Sequence, residues 1–293
     1  MEEITTGNER ARVESSAERT RSIEQIYRAA LAQHAKFAEI PEQKIKQVIE
    51  KSLSEIEELE TAAGAGRALA ALTPEIARTI SAVWIFSGPG TYDKPVKEDR
   101  YKQYPWARGM DRARLSYGAW LVRKISEKVS GEVMRGPMTE LPRLVADARE
   151  MISRSGPVIL YNGTELENSV VKDVLTRTGI VIPPEKVMVA GEGIQNTVDQ
   201  VKTFELPEKL HHAGGEIGII SHAPHLMRVT HMLSQYHPLP DDMSVRLFPI
   251  ASPKEGREEY VETEIKALLY YVFIGKNAHE DAYPSIVHGA GSL

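Results

Sequence analysis

The chain of 293 residues contains no cysteine. This absence excludes disulfide scaffolds, thiolate metal sites, iron–sulfur clusters and cysteine nucleophiles. Hydrophobic residues make up 42% of the chain and charged residues 26%, which is ordinary for a globular protein with a buried core. The length corresponds to about two domains at roughly 150 residues each.

An excess of basic residues is also missing, because 36 Lys and Arg face 41 Asp and Glu, a net charge of −5. This balance gives no electrostatic case for a nucleic-acid or anionic-membrane partner. Residues 1–12 are charged and lack the apolar stretch of a secretory signal. The longest apolar runs, such as residues 267–274, are much shorter than the roughly 20 residues that span a bilayer. We therefore predict a soluble cytoplasmic protein.

The N-terminal quarter of the chain has its own pattern. The polarity of residues 1–18 predicts a disordered tail, and residues 19–79 are predicted to form an α-helical region with a linker at 61–66 and a helix over 68–79. One seam in this region repeats at alternating steps of four and three residues: Ile45, Ile49, Ser52, Ile56 and Leu59. Such a short heptad-like seam fits either a homodimer through the N-terminal helices or, more commonly, a helix packed on its own domain.

Residues 80–275 alternate β-rich apolar runs with helical patterns. Five strands are predicted, at residues 80–86, 158–161, 187–190, 217–220 and 245–249. Because these runs are apolar on both faces, they indicate a parallel sheet covered by helices on each side. The predicted fold class is α/β, a doubly wound, mainly parallel, Rossmann-like sheet with an N-terminal α-helical region. Residues 276–293 are predicted to be a C-terminal tail.

Ligands of such sheets bind in the crevice beyond the carboxyl ends of the strands. Glycine or polar residues follow four of the predicted strands, and we expect them on one rim of the sheet. They are Gly88 and Gly90 after the first strand, Asn162 and Gly163 after the second, Glu192, Asn196 and Thr197 after the third, and Ser221, His222, His225 and Arg228 after the fourth.

The glycines after the first strand start like a dinucleotide fingerprint, but Pro89 interrupts the pattern and the third glycine is missing. A simple turn and a phosphate cradle both remain open here. The aromatic segment over residues 91–108 is predicted to be a long loop, and long loops in compact domains often act as lids.

Asn196 and Glu192, which both follow the third strand, are expected to have different roles. Asn196 is suited either to a ligand contact or to the N-cap of a helix. Glu192 lies between two glycines directly after the strand, where a general base would be well placed.

The segment from Ser221 to Arg228 is the sharpest local signal. Pro224 suits the first position of a helix, so His225 and Arg228 lie three residues apart on one helical stripe. The helix N-terminus favours an anion such as a phosphate or carboxylate, and these two side chains add donors beside it. His225 is also a candidate catalytic acid or base.

No metal is expected at this segment, and no standard serine nucleophile is present. A zinc site would need His231 beside His222 and His225. However, His231 is six residues from His225, about 240° around the helix, so it points elsewhere. The chain also lacks a Gly-x-Ser-x-Gly nucleophile elbow.

The order of these signals over residues 80–250 resembles the YdcF/SanA/ElyC-like family, a Rossmann-like domain of largely undetermined biochemical function. Val229 and the pair Asn162-Gly163 depart from the family pattern, so the chain resembles a divergent cytosolic member. The matching segments are residues 86–90, Arg114-Leu115, residues 161–163 and 182–187, Glu192 with Asn196-Thr197, and residues 221–229.

The resemblance implies a nucleotide-like or otherwise anionic small-molecule ligand, and some relatives are associated with S-adenosylmethionine. It adds Arg114 as a ligand contact from the first helix and places Glu192 on a ribose or in the role of a base. Our first expectation is an enzyme that binds such a ligand, with Glu192 and His225 as catalytic residues. The alternatives are a phosphoester or nucleotide hydrolase that uses the same anion site, and a non-catalytic ligand sensor that dimerises through its N-terminal helices.

Overall fold

The computed structural model describes residues 3–87, 110–133, 141–163, 182–189, 194, 196–210 and 215–275, together with the helical residues Asn168, Val171 and Leu175. The strands are β1 (Ile80–Ile85), β2 (Val158–Tyr161), β3 (Val187–Val189), β4 (Glu216–His222) and β5 (Ser244–Ile250). The α-helices whose bounds the structure describes are α1 (Glu3–Gln33), α2 (Glu42–Gly64), α3 (Arg67–Ala70), α4 (Pro74–Thr79), α5 (Met110–Ser130), α6 (Leu141–Ser155), α7 (Thr197–Lys202), α8 (Ala223–Tyr236) and α9 (Arg257–Phe273).

The five strands form one parallel sheet in the order β3-β2-β1-β4-β5. The doubly wound α/β prediction is therefore confirmed, and each strand lies within two residues of its predicted bounds. The chain order reverses between β1 and β4, which is the switch point at which ligands of such sheets bind. The crevice beyond Ile85 and His222 is therefore the candidate ligand site.

Helices cover both faces of the sheet, and β1 shows how its side chains alternate between them. Trp84 and Phe86 pack with α1, α2, α8 and α9 on one face, whereas Val83 and Ile85 pack with α5 and α6 on the other. In the described part of the chain, no helix is long and apolar enough to cross a membrane.

The heptad-like seam of α2 faces the interior of the same chain. All five of its residues are buried, and four of them belong to the apolar cluster that also contains side chains of α8 and α9. Two polar contacts accompany this packing. His231 Nε2 of α8 lies 2.7 Å from Glu55 Oε2, and Arg257 of α9 pairs with Glu60. Packing on its own domain therefore accounts for the seam.

The structure differs from the sequence prediction in three helical regions. Helix α1 begins at Glu3, inside the predicted 1–18 tail, because the Glu, Arg and Ala residues of this polar segment favour helix. The predicted linker at 61–66 is largely the last turn of α2. The helix predicted over 68–79 is divided into α3 and α4, because proline disfavours helical backbone before it, and the Thr73 hydroxyl caps the new helix by accepting from Ile76 N–H.

Helix α5 approaches the sheet closely at Gly118. A Cβ atom at this position would lie 2.9 Å from Ile85 Cγ1 and 3.5 Å from Ile220 Cδ1, at the carboxyl ends of β1 and β4. The missing side chain therefore lets α5 lie directly on the sheet. Arg114, one helical turn earlier, is thereby brought to the switch point.

We expect Gly118→Val to lower the free energy of unfolding by about 1–3 kcal/mol, because overpacking a closed contact forces neighbours to shift. Ser116→Val on the exposed side of the same helix is the control, and its effect should stay within about 0.5 kcal/mol. Urea unfolding of both variants measures the difference. Equal stability of the two would mean that the sheet accommodates a larger side chain beneath α5.

Candidate functional site

Arg114 is a fully buried cation at the switch point of the sheet. Its Nε donates to His222 Nδ1 at 3.1 Å, and one terminal nitrogen donates to the Phe86 carbonyl oxygen at 3.1 Å. The other terminal nitrogen donates to the Tyr260 hydroxyl at 3.2 Å. Because Phe86 follows β1 and His222 ends β4, the guanidinium bridges the two strand ends that border the crevice.

The His222 ring is neutral in this arrangement. Burial, followed by the positive charge of Arg114, lowers the pKa of His222 to about 2. Its Nδ1 accepts from Arg114, so the single ring proton is carried on Nε2. Burial also raises the pKa of the Tyr260 hydroxyl, and the Arg114 charge acts in the opposite direction. The imidazole, the carbonyl and the phenol that accept from the guanidinium in these three hydrogen bonds are thus uncharged.

His225 forms the centre of a second polar cluster. Its Nδ1 lies 2.9 Å from Ser221 Oγ and its Nε2 lies 3.1 Å from Thr197 Oγ1. Burial, then the charges of Arg114 and Arg228, hold the pKa of His225 well below its ordinary value. A neutral imidazole has one N–H, so one hydroxyl accepts from it and the other donates to it. Ser221, His225 and Thr197 therefore form a hydrogen-bonded chain. A change of the His225 tautomer would reverse the direction in which the hydrogen bonds of this chain are donated.

Arg228 shares the helical stripe of His225 but is directed to another partner. Its Nε donates to Glu264 Oε2 at 2.6 Å, and both side chains are almost completely buried. The charge and hydrogen bond of Glu264 raise the pKa of Arg228 against the opposing effect of burial. The charge of Arg228 is thus compensated by α9.

The Asn162 side chain takes part in contacts within the protein. Its Oδ1 accepts from Trp84 Nε1 at 2.7 Å, and its Nδ2 donates to the Gln200 carbonyl at 2.6 Å. The Gln200 side chain in turn donates to the Asn162 carbonyl at 2.9 Å and to Ser87 Oγ. This network joins the ends of β1 and β2 to α7. Next along the chain, Gly163 N–H donates to Asn168 Oδ1 at 2.8 Å.

Asn196 is the N-cap of α7. Its Oδ1 accepts from the backbone N–H groups of Val198 and Asp199, and its Nδ2 donates to Asp199 Oδ2. Of the two expectations for this side chain, the structure therefore shows capping. The cap fixes the start of α7 and, with it, the position of Thr197 beside His225.

The structure thus brings Arg114, Thr197, Ser221, His222 and His225 together around the switch point. Arg228, Asn162 and Asn196 have their side chains engaged by other parts of the protein. Three predicted site residues, Gly88, Gly90 and Glu192, lie outside the described residues, as does the predicted lid at 91–108. Their roles stay predictions.

Sequence reasoning missed Tyr260, Glu264 and Gln200, which hold the site residues in place. A signal for the first two was present. Glu264 lies on the stripe of α9 that also carries Tyr260 and Ile265, and a carboxylate on a buried helical stripe usually has a buried cationic partner. Gln200 had no comparable signal. It lies on a short helix just after the capping residue, and such a position does not indicate a buried polar contact.

In the part of the chain that the structure describes, no group of three or more metal-ligating side chains is assembled. His231, the third member of the disfavoured zinc set, contacts Glu55 of α2.

The two depressed histidine pKa values predict acid-sensitive stability. Below the ordinary pKa of 6.5 the unfolded chain protonates both rings while the folded protein does not. The unfolded state then binds more protons, so stability falls as the pH is lowered from about 6.5, and for His222 the loss continues towards pH 2. Each ring should contribute up to about 1.4 kcal/mol per pH unit.

Urea unfolding between pH 7.5 and 4.5 measures this slope. His222→Gln should reduce the slope of the free energy of unfolding against pH by nearly the full contribution of one ring. His237→Asn, which changes an exposed histidine, should leave this slope unchanged. If both variants keep the slope of the original protein, His222 is not the neutral buried ring described above.

Comparison of the chain with protein-family models, with curated proteins and with solved structures finds no match. The resemblance to the YdcF/SanA/ElyC-like family therefore stays a prediction that rests on the motifs.

Proposed function

We propose that the crevice between the carboxyl ends of β1 and β4 binds a small molecule of nucleotide type that carries an anionic group, and that Arg114 holds this group. The observation that carries this proposal is the buried guanidinium at the switch point, with hydrogen bonds to both strand ends. A planar guanidinium is well suited to carboxylates and phosphates.

The electrostatics of the crevice support the same assignment. Burial is the largest cause of the lowered pKa values of His222 and His225, and the charge of Arg114 lowers both further, so its positive potential extends over both rings. In a buried setting such a potential acts on a ligand charge far more strongly than it would in water. The charge of Arg228 is paired with Glu264 on α9, whereas Arg114 contacts both strand ends at the switch point itself, which is why the anion is assigned to Arg114.

His225 supplies the chemistry that would make the site catalytic. As a neutral imidazole between two hydroxyls, it can accept a proton from one side while donating on the other. Its chain to Ser221 and Thr197 begins at the end of β4, beside the residue that contacts Arg114. We assign His225 the role of acid or base for a ligand bound there, with Glu192 as the second candidate base.

S-adenosylmethionine is the first candidate ligand, because the family resemblance implies it and because it carries a carboxylate that Arg114 would hold. When bound, it would supply an activated methyl group. Arg114 would bind the carboxylate through its positive charge. The two histidines beside it, which are neutral, would orient the ligand.

A thermal-shift titration of the whole chain tests the proposal. The panel contains S-adenosylmethionine, S-adenosylhomocysteine, nucleoside mono-, di- and triphosphates, inorganic phosphate and Zn²⁺. A ligand at a hundredfold excess over its Kd should stabilise the protein by about 2.7 kcal/mol.

Each outcome of this titration separates the candidate functions. A shift with the two adenosyl ligands alone supports the first candidate. A shift with phosphates supports an anion site that serves phosphoester hydrolysis. The absence of any shift would contradict the proposed ligand class.

A further inference from the structure

A cavity of about 240 Å³ lies on the α5 face of the sheet, at the carboxyl end of β5. Its walls come from the N-terminal helices on one side and from the α/β domain on the other. Several of the wall residues are partly exposed, so the cavity reaches the surface. The lining includes Ala62, Ala63, Gly66, Ala68, Tyr117 and Ile250.

This cavity adjoins the Arg114 site through two neighbouring pairs of residues. Ile250 is the partner of His222 in the register of β4 and β5, and partners in register lie side by side on one face of a sheet. His222 contacts Arg114 at 3.1 Å. Tyr117 follows Arg114 by three residues on α5, which makes the two side chains neighbours on the helix surface. The cavity is thus next to the buried cation.

We infer that this cavity holds an uncharged, fused-ring aromatic group of the ligand whose anionic group Arg114 binds, an inference that rests on the proposed function. The lining consists mainly of methyl groups, aliphatic carbon and one aromatic ring, which suits a carbon-rich occupant. An apolar cavity of about 150 Å³ binds benzene. The larger volume here accommodates a two-ring group, the size of indole or of a nucleobase, and Tyr117 offers a ring for stacking.

The N-terminal helices form part of this cavity and so contribute to ligand selection. The end of α2 and the short helix α3 supply one wall of the cavity, although they lie outside the segment that resembles the family. The ion pair between Glu60 and Arg257, at 2.5 Å, ties this end of α2 to the start of α9. The helical region would therefore limit the size of the group that enters, while Arg114 selects the charge.

Isothermal titration of the full chain tests the inference with indole-3-propionate, which joins a carboxylate to a fused ring, and with indole, which lacks the charge. Ala68→Leu adds a branched side chain at the cavity wall. Ala70→Leu adds the same side chain at an exposed position of the same helix and is the matched control. Ala63→Leu narrows the cavity from α2, and Arg114→Gln removes the charge.

We expect Ala68→Leu and Ala63→Leu to weaken indole-3-propionate binding about tenfold or more, because the added atoms occupy the space of the ring. Ala70→Leu should retain the original affinity. The affinity for indole should fall in the same cavity variants, but it should change much less in the Arg114→Gln protein. Melting temperatures of all variants establish that the fold is retained, and the two independent cavity variants guard against one that does not fold.

Equal affinity in the Ala68→Leu, Ala63→Leu and Ala70→Leu proteins would overturn the inference, and so would failure of the unaltered protein to bind either indole probe. Inorganic phosphate distinguishes this failure from that of the proposed function. If phosphate binding depends on Arg114 while the cavity variants change nothing, only the cavity assignment is wrong. If phosphate and S-adenosylmethionine also fail to bind, the anion site is wrong as well.

Discussion

Replacing Glu264 by Gln is expected to lower the free energy of unfolding by about 3–5 kcal/mol, because removing one member of a buried ion pair leaves the other charge uncompensated. Arg228 Nε and Glu264 Oε2 are 2.6 Å apart, and the two side chains are 11% and 4% exposed. Urea unfolding at pH 7.5 measures the loss. The size of the effect distinguishes an internal ion pair from an arginine that is free to bind a ligand.

Two further variants isolate the cause of this loss. Glu262→Gln breaks the more exposed pair with Lys266 on the same helix, and it should cost at most about 1 kcal/mol. The double variant Arg228→Leu/Glu264→Leu should recover most of the stability, because buried ion pairs are often replaceable by apolar side chains. A near-neutral Glu264→Gln variant that binds phosphate more tightly would instead return Arg228 to the ligand site.

Replacing Trp84 by Ala is expected to cost at least about 3–5 kcal/mol, since it removes a large side chain from the middle of the sheet. Trp84 is fully buried, and its ring stacks on Phe204 with centroids 3.8 Å apart. Its Nε1 also donates to Asn162 Oδ1. The variant therefore loses packing on one face of the sheet and a hydrogen bond of the network that joins the ends of β1 and β2.

Trp84→Phe separates these two losses. It keeps most of the ring packing but leaves the buried Asn162 oxygen without its indole donor, at an expected cost of about 1–3 kcal/mol. Trp120→Ala, which removes a tryptophan that is 39% exposed, is the control and should have a much smaller effect. Equal losses for the Ala and Phe variants would mean that the hydrogen bond, and not the packing, dominates at this position.

Much of the fold could be predicted because local patterns determine it. Short runs rich in apolar residues indicate all five strands, and Pro224 indicates the start of α8. Asn196 carried its own capping signal, and the structure shows the cap. In each case the residues that determine the feature are close in sequence, so a short window contains the physical cause.

The partners of the site residues could not be predicted in this way. Arg228 and Glu264 are 36 residues apart, and Arg114 and Tyr260 are 146 residues apart. Spacing on a helix placed Arg228 on the stripe of His225, but it carried no information about which charge α9 would present to it. The depressed histidine pKa values likewise depend on burial and on Arg114, which only the folded chain brings together.

We expect the buried Arg114 to hold the anionic group of the ligand at the switch point of the sheet. Isothermal titration of S-adenosylmethionine and of inorganic phosphate against the Arg114→Gln protein tests it most directly. Arg112→Gln, at an exposed position two residues away on α5, is the matched control. Arg114→Lys retains the charge but not the planar fork, and melting temperatures report whether each variant is folded.

We expect Arg114→Gln to weaken binding of the responding probe about 10- to 100-fold, because hydrogen bonds to charged groups contribute about 1.5–3 kcal/mol. Arg114→Lys should fall between Gln and the original residue, and Arg112→Gln should leave the affinity unchanged. A folded Arg114→Gln protein that binds both probes as tightly as the Arg112→Gln protein would mean that Arg114 does not hold the ligand.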